Sequence, residues 1–200
     1  MRNRKVEQGE ATRGALVDAA IALFTEKGYA DSSTGEIVTR ANVTRGALYH
    51  HFADKEQVFR AALSAIEADI HDRVLAATTA VGGDAAAGLR AGVDAFLDAC
   101  LEPAVQRILL REGPSVLGWA DPAYQSPRCA RHLLTSGIEK AVETGMFAPQ
   151  PAGPLSELLY GGLMRAGLVI AEADDPAAAR AALGAATHRL LDALAVARCT

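Results

Sequence analysis

Two hundred residues, 50% hydrophobic and only 5% aromatic, give one large or two small domains with ample material for a core. The net charge of −4 gives no broad electrostatic hold on nucleic acid, but it is unevenly spread: residues 1–60 carry nine Lys and Arg against eight Asp and Glu, and residues 61–200 carry 11 against 16. No stretch reaches the roughly 18 uninterrupted apolar residues of a membrane helix, the basic N-terminus runs straight into charged residues and does not read as a signal peptide, and three widely spaced cysteines (Cys100, Cys129 and Cys199) fit a reduced, cytoplasmic protein without disulfide framework or metal-ligand spacing.

Residues 1–11 read as a short, flexible basic arm bearing Arg2, Arg4 and Lys5. A helix is predicted from about Thr12 to Lys27, with Leu16, Ala19, Ala20, Leu23 and Phe24 as its inner stripe, ended by Gly28. Ser33-Thr34-Gly35-Glu36 is a capping box: the Ser33 hydroxyl accepts from the Glu36 N–H, and the Glu36 carboxylate reaches back to the Ser33 N–H. The helix it starts runs to about Arg40, with Ile37, Val38 and Ala41 inward. A tight turn between crossing helices needs one residue at positive φ, and Asn42 is suited to it. The second short helix begins near Thr44. Val43, Leu48 and Phe52 anchor it, while Thr44, Arg45, Tyr49 and His50 form its outer face. Two short helices joined by such a turn, the second showing a cation, a phenol and an imidazole, make a helix-turn-helix.

Helix continues through the rest of the chain. Asp54 caps a long helix to about Thr79, with Gln57 completing a second capping box and Val58, Phe59, Ala62, Leu63, Ile66, Ile70 and Val74 inward. Gly82-Gly83-Asp84 breaks it. Further helices are expected at about Ala85–Cys100 and Pro103–Leu110, followed by a turn-rich crossing segment from Gly113 to Trp119. Asp121-Pro122 and Asp175-Pro176 each pair an N-cap with proline at the first helical position. They predict helices to Glu143 and Val196, and Pro154 opens another to about Ala173. No strand pattern and no internal repeat is present. The expected fold is all-α: an arm over 1–11, a three-helix DNA-binding head over 12–60, and a larger helical body over 61–200.

The head resembles that of the TetR-family transcriptional regulators. The resemblance rests on Phe24-Thr-Glu-Lys-Gly-Tyr29 at the end of the first helix, Ser33-Thr34-Gly35-Glu36-Ile37-Val38, the run Arg45-Gly46-Ala47-Leu48-Tyr49-His50-His51-Phe52, and Asp54-Lys55-Glu56 opening the linking helix. It covers about 50 positions without a gap. Asn42 departs from the glycine most common there. The resemblance implies a homodimer on a pseudo-palindromic double-stranded DNA operator, a small apolar effector held in the body, and repression relieved when that effector moves the linking helix.

Roles follow for the head residues. Arg45 can fork onto guanine O6 and N7 or grip a phosphate. Tyr49 lies one turn on, and the resemblance puts its hydroxyl on phosphate. His50 faces DNA, whereas His51 is half-buried and structural. Gly46 lets the backbone approach the duplex, and Ala47 is small enough for the groove. Ser33 and Thr34 offer hydroxyls and helix N-terminal N–H groups to phosphate, and Lys55 stands at another helix N-terminus as a further phosphate ligand.

In the body, Phe96, Cys100, Leu109, Val116, Trp119, Tyr124, Leu133, Ile138, Tyr160 and Met164 are candidates to line an effector pocket, although each also suits an ordinary core. Trp119 leads because a Gly-Pro-rich segment precedes it. Arg111 and Glu112 read as a polar pair, at the pocket rim or on the surface. The last two helices are rich in apolar residues: Leu158, Leu159, Leu163, Val169 and Ile170 among Gly161, Gly162, Ala166 and Gly167, then Leu183, Ala186, Leu190, Leu191 and Leu194. They fit a four-helix interface between two chains. No nucleophile–base pair, phosphate loop or metal motif is present, and the five histidines are scattered, so neither enzymatic activity nor a cofactor is expected. The reading is a ligand-responsive repressor; the alternative is a constitutive helical DNA-binding protein without a ligand.

Overall fold

The computed structural model describes residues 2–126 and 128–196, with the side chains of all except 2–5 and 125. Cys199 and the side chains of Arg2, Arg4 and Lys5 lie outside that description. The described residues are all-α: α1 (Arg2–Lys27), α2 (Thr34–Arg40), α3 (Arg45–His51), α4 (Lys55–Ala80), α5 (Ala85–Ala99), α6 (Gly113–Val116), α7 (Ala130–Glu143), α8 (Ala152–Glu172) and α9 (Pro176–Leu194). A π-helix over Val105–Glu112 runs into α6, and a 3-10 turn covers Pro122–Gln125. One isolated bridge joins Phe147 to Ala195.

The first helix starts at Arg2 instead of Thr12, so the residues set apart as an arm continue α1. The single helix expected from Asp121 to Glu143 is two pieces, with Ser126 and Arg128 in the break. Pro127 explains it, because proline disfavours helix at the residue before it and removes an N–H donor. The π-helix is indistinguishable from an ordinary helix by apolar spacing over eight residues.

The chain parts into two compact units: Met1–Ile66 with Pro103–Gln125, and Glu67–Glu102 with Ser126–Thr200. This differs from a cut after residue 60, because the segment 103–125 folds with the head. Within the head unit, Leu16, Ala20, Leu23, Phe24, Ile37, Leu48, Phe52, Val58 and Phe59 form the core. Phe24, Tyr29 and Phe59 meet with ring centroids 5.1–6.0 Å apart. Polar ties hold the 103–125 segment. Arg107 Nη2 donates to the Lys27 carbonyl at 2.9 Å, Glu112 Oε2 accepts from the Tyr29 N–H at 2.9 Å, and Arg60 Nε donates to Asp121 Oδ2 at 2.9 Å. Gly28 has φ +86, and a Cβ there would lie 2.5 Å from both Arg107 Nη2 and Glu112 Oε1. At Gly113 a Cβ would collide with the Tyr124 hydroxyl and lie 2.9 Å from the Ile108 carbonyl oxygen.

The second unit packs α5, α7, α8 and α9 with the later turns of α4. Its core includes Ile70, Val74, Leu97, Cys100, Ile138, Phe147, Leu163, Met164, Ile170 and Leu191. Arg180 of α9 bridges Asp94 and Asp98 of α5, and Arg90 of α5 pairs with Asp192 of α9. Leu158 on α8 is 76% exposed and Leu190 on α9 is 51% exposed, and Gly161 and Gly162 are exposed too.

Candidate nucleic-acid interface

The helix-turn-helix is assembled by local rules. Ser33 caps α2 with both halves of the capping box made: Ser33 Oγ accepts from the Glu36 N–H at 3.2 Å, and Glu36 Oε2 accepts from the Ser33 N–H at 2.9 Å. Asn42 has φ +52, the one non-glycine residue at positive φ among the described residues. It turns the chain into α3, whose N-cap Thr44 accepts from the Ala47 N–H at 3.2 Å. Leu48 is fully buried and Phe52 nearly so, with the Arg13 guanidinium 5.3 Å above the Phe52 ring. This apolar side fixes which way the opposite side faces. Arg45, Gly46, Tyr49 and His50 are exposed, Ala47 is half-buried between the two faces, and His51 is half-buried with its ring 5.2 Å from that of His50.

Ion pairing separates Arg45 from the cations around it. Lys27 donates to Glu36 at 2.6 Å, Arg40 forks onto Glu26 with two 2.7 Å bonds, and Arg60 pairs with Glu56 and Asp121. Arg45 makes no ion pair among the described residues. Its charge is available to a partner.

Two of the side chains expected on phosphate have partners within the protein. Lys55 Nζ donates to the Tyr29 carbonyl at 2.8 Å and the Ser32 carbonyl at 3.0 Å, and sits 4.2 Å over the Tyr29 ring. It clamps the 29–32 loop that leads into α2. Ser33 likewise has its hydroxyl proton engaged, donating to Glu36 Oε2 at 2.8 Å. The hydrogen bonds from Lys27, then those from Ser33, lower the Glu36 pKa to about 2, so a permanent carboxylate stands at that site. A phosphate there is left with Thr34 and the first-turn N–H groups that every helix leaves without an internal partner. The second capping box is offset by one residue: Asp54 accepts from the Gln57 N–H, but Gln57 accepts from Ala53.

The second unit holds a cavity of about 270 Å³. Of the residues expected to line a pocket, Phe96, Leu133 and Tyr160 do, together with Val74, Leu89 and Leu163. Cys100, Ile138 and Met164 are buried in that unit but do not line the cavity. Burial pushes the Cys100 thiol up to about 12, so it is inert. Leu109, Val116, Trp119 and Tyr124 belong to the head unit. Trp119 is 54% exposed, with its ring 5.4 Å from that of Tyr124, because Gly118 at φ +77 turns the chain out of helical geometry just before it. Glu112 does not line this cavity; it is tied to Tyr29. One residue escaped the sequence reading: Glu67 of α4, 1% exposed.

Comparison with known proteins agrees with this architecture. Residues 16–62 match the family model for bacterial regulatory proteins of the tetR family, and residues 86–194 match that for a tetracyclin repressor-like C-terminal domain. The chain is 33% identical over 180 residues to the HTH-type transcriptional regulator SrpR of Pseudomonas putida, covering 82% of this chain and 80% of that one. It is 28% identical over 163 residues to the transposon Tn10 TetC protein of Escherichia coli, covering 82% of each. The crystal structure of a TetR-family transcriptional regulator from Pectobacterium atrosepticum superposes with a TM-score of 0.77 at 34% identity, covering 95% of this chain and 97% of that one. A helix-turn-helix head and a separate helical body, each matched by its own family model, identify this chain as a DNA-binding regulator of the TetR family and not an enzyme.

Proposed function

We propose that this regulator is a cytoplasmic repressor that binds a pseudo-palindromic operator as a homodimer and releases it when a small effector occupies the cavity of the body. The observation that carries the reading is the outer side of α3: Arg45, Tyr49 and His50 are exposed on a helix whose other side is locked by Leu48 and Phe52. A short helix so braced enters the major groove as a rigid unit. Arg45 chooses a base or grips the backbone, Ala47 and Gly46 permit close approach, and Tyr49 with Thr34 positions the head on phosphates. The exposed Leu158 and Leu190, beside the bare backbone of Gly161 and Gly162, support α8 and α9 as the contact between two copies. Two copies would place their reading helices about 34 Å apart, on half-sites one helical turn apart.

The effector arm of the reading rests on the cavity, whose walls include Val74 of α4. α4 begins directly after the reading helix, at Lys55. A ligand that shifts its later turns changes the helix on which the head is mounted. Arg45→Ala should weaken operator binding about 10- to 100-fold, the value of one lost fork on a base. Tyr49→Phe should weaken it by a smaller factor. Both variants should elute as dimers in size-exclusion chromatography. Unchanged affinity in a gel-shift titration would count against the assignment.

A further inference from the structure

One acidic side chain sits in the core of the body, and the regulator reading makes no use of it. Glu67 of α4 is 1% exposed. Its carboxyl group ties three helices together. It accepts a hydrogen bond from the N–H of Ala130, the first residue of α7, and another from the hydroxyl of Tyr160 on α8. The Ala130 N–H has no partner inside its own helix, because the first four N–H groups of a helix have none. Oε1 of Glu67 has no hydrogen-bond partner. An ionised carboxylate so placed holds a charge out of water without full compensation, and the neutral acid does not.

The titratable and charged groups around Glu67 do not neutralise it. Arg131, next to Ala130 on α7, acts on it through its charge but donates its guanidinium to Glu157. Burial, first among the causes, raises the pKa of the Cys129 thiol at the start of α7, so that thiol stays neutral. Tyr160 of α8 donates its hydroxyl to Glu67 itself. On α4, His71 stands one turn further on and lies 3.1 Å from Asp72 Oδ1. Burial outweighs the two hydrogen bonds and the Arg131 charge, and it lifts the Glu67 pKa from 4.5 to about 7. The two residues that hold Glu67, Ala130 and Tyr160, both line the cavity. Whatever frees them from α4 acts on that wall.

We propose that Glu67 is a proton-operated pin: the neutral acid holds α4 to the start of α7 and to α8, and loss of its proton loosens that joint together with the Ala130 and Tyr160 part of the cavity wall. The pin needs no ligand and stands apart from the effector reading. The step is an acid dissociation, in which the carboxyl O–H bond breaks and the proton passes to water. Ionisation strengthens the bonds from Ala130 and Tyr160, since charge-assisted hydrogen bonds are the stronger kind. It also leaves a buried charge whose second oxygen only water can satisfy, and water reaches that oxygen when the joint opens. The folded-state pKa lies above the unfolded value. The hold is therefore complete below pH 4.5 and is lost as pH rises through about 7.

Amide hydrogen–deuterium exchange of the full-length protein at pH 6 and pH 8, corrected for the intrinsic pH dependence of exchange, reads the joint. In the wild type, opening at the start of α7 and around Tyr160 should increase about tenfold, the factor by which an acid is depleted of its protonated form one pH unit above its midpoint. Glu67→Gln, neutral at both pH values, should show no such increase. The histidines are common to the two proteins, so the difference belongs to Glu67. The infrared difference between pH 6 and pH 8 reads the proton itself. The wild type should lose a protonated-carboxyl band over this range, and Glu67→Gln should have none to lose. Tyr160→Phe removes a donor that favours the carboxylate, so the band should persist to higher pH in that variant; this arm holds even where Glu67→Gln folds poorly. The same exchange profile in the wild type and Glu67→Gln would overturn the pin, as would a wild type with no protonated carboxyl at pH 6. An unmoved midpoint in Tyr160→Phe would overturn the tie to α8.

Discussion

In the head, the cations around the reading helix are claimed by fixed neighbours: Lys27 by Glu36, Arg40 by Glu26, Lys55 by the carbonyls of the 29–32 loop. Arg45 alone among these is left for a partner. In the body, Glu67 is deeply buried and one of its oxygens has no hydrogen-bond partner. The contrast extends to the two carboxylates. Lys27 and Ser33 hold Glu36 down to about 2, whereas burial drives Glu67 up to about 7. A surface that must present the same shape to every operator is tied at its edges. The core of the body retains a polar group with one oxygen lacking a hydrogen-bond partner.

The largest expected effect lies at Glu67. Its pKa rises from 4.5 to about 7 on folding, so the native state binds the proton more tightly than the unfolded one. The associated stability is fully present below pH 4.5 and is lost as pH rises through 7. Glu67→Gln has no such loss. It should melt with the wild type near pH 4.5 and be more stable above pH 8 by about 3 kcal/mol, the free energy of a shift of that size. Calorimetric scans at the two pH values check this. A variant less stable than wild type at pH 8 would mean that the carboxylate is compensated within the fold.

Next comes Lys55. Lys55→Met removes donors from two buried-side carbonyls and should cost about 2 kcal/mol in urea unfolding. It should also weaken operator binding by loosening the approach to α2, while the slope of log affinity against log salt stays the same. A phosphate ligand would instead lower that slope by about 0.9 per protomer, about 1.8 for the dimer. The smallest effect is at Ser33, where alanine should lower stability by about 1 kcal/mol, as for other lost N-caps. Glu36 should remain ionised at neutral pH in that variant, since Lys27 is the larger cause of its depression. A carboxyl NMR titration reports this directly.

What the sequence reading captured was short-range. The Ser33–Glu36 box, Asn42 as the turn residue, and Leu48 with Phe52 beneath Arg45 and Tyr49 each depend on residues within a few positions, where helix geometry dictates who meets whom. The misplacements came from contacts between distant segments. Glu112 reaches the Tyr29 N–H across 83 positions, and Lys55 reaches the Tyr29 carbonyl across 26. No spacing rule encodes either. The Gly-Pro-rich segment before Trp119 points to a pocket position, but the same segment, through Gly118 at φ +77, leaves the ring 54% exposed. Glu67 carries a signal in its register. It stands four residues after Leu63 and three before Ile70, both fully buried, so it lies on the inward stripe of α4. An acid at that register marks a polar group the core must accommodate.

The proposed function requires the outer side of α3 to read a duplex. The direct measurement is selection from a random 30-base-pair pool by the full-length protein and by Arg45→Ala, with sequencing of the bound duplexes. The wild type should enrich an inverted repeat, and Arg45→Ala should lose affinity for it, with relaxed preference at one position of each half-site if Arg45 reads a base. The same repeat enriched by both proteins with equal affinity would show that this surface does not touch DNA.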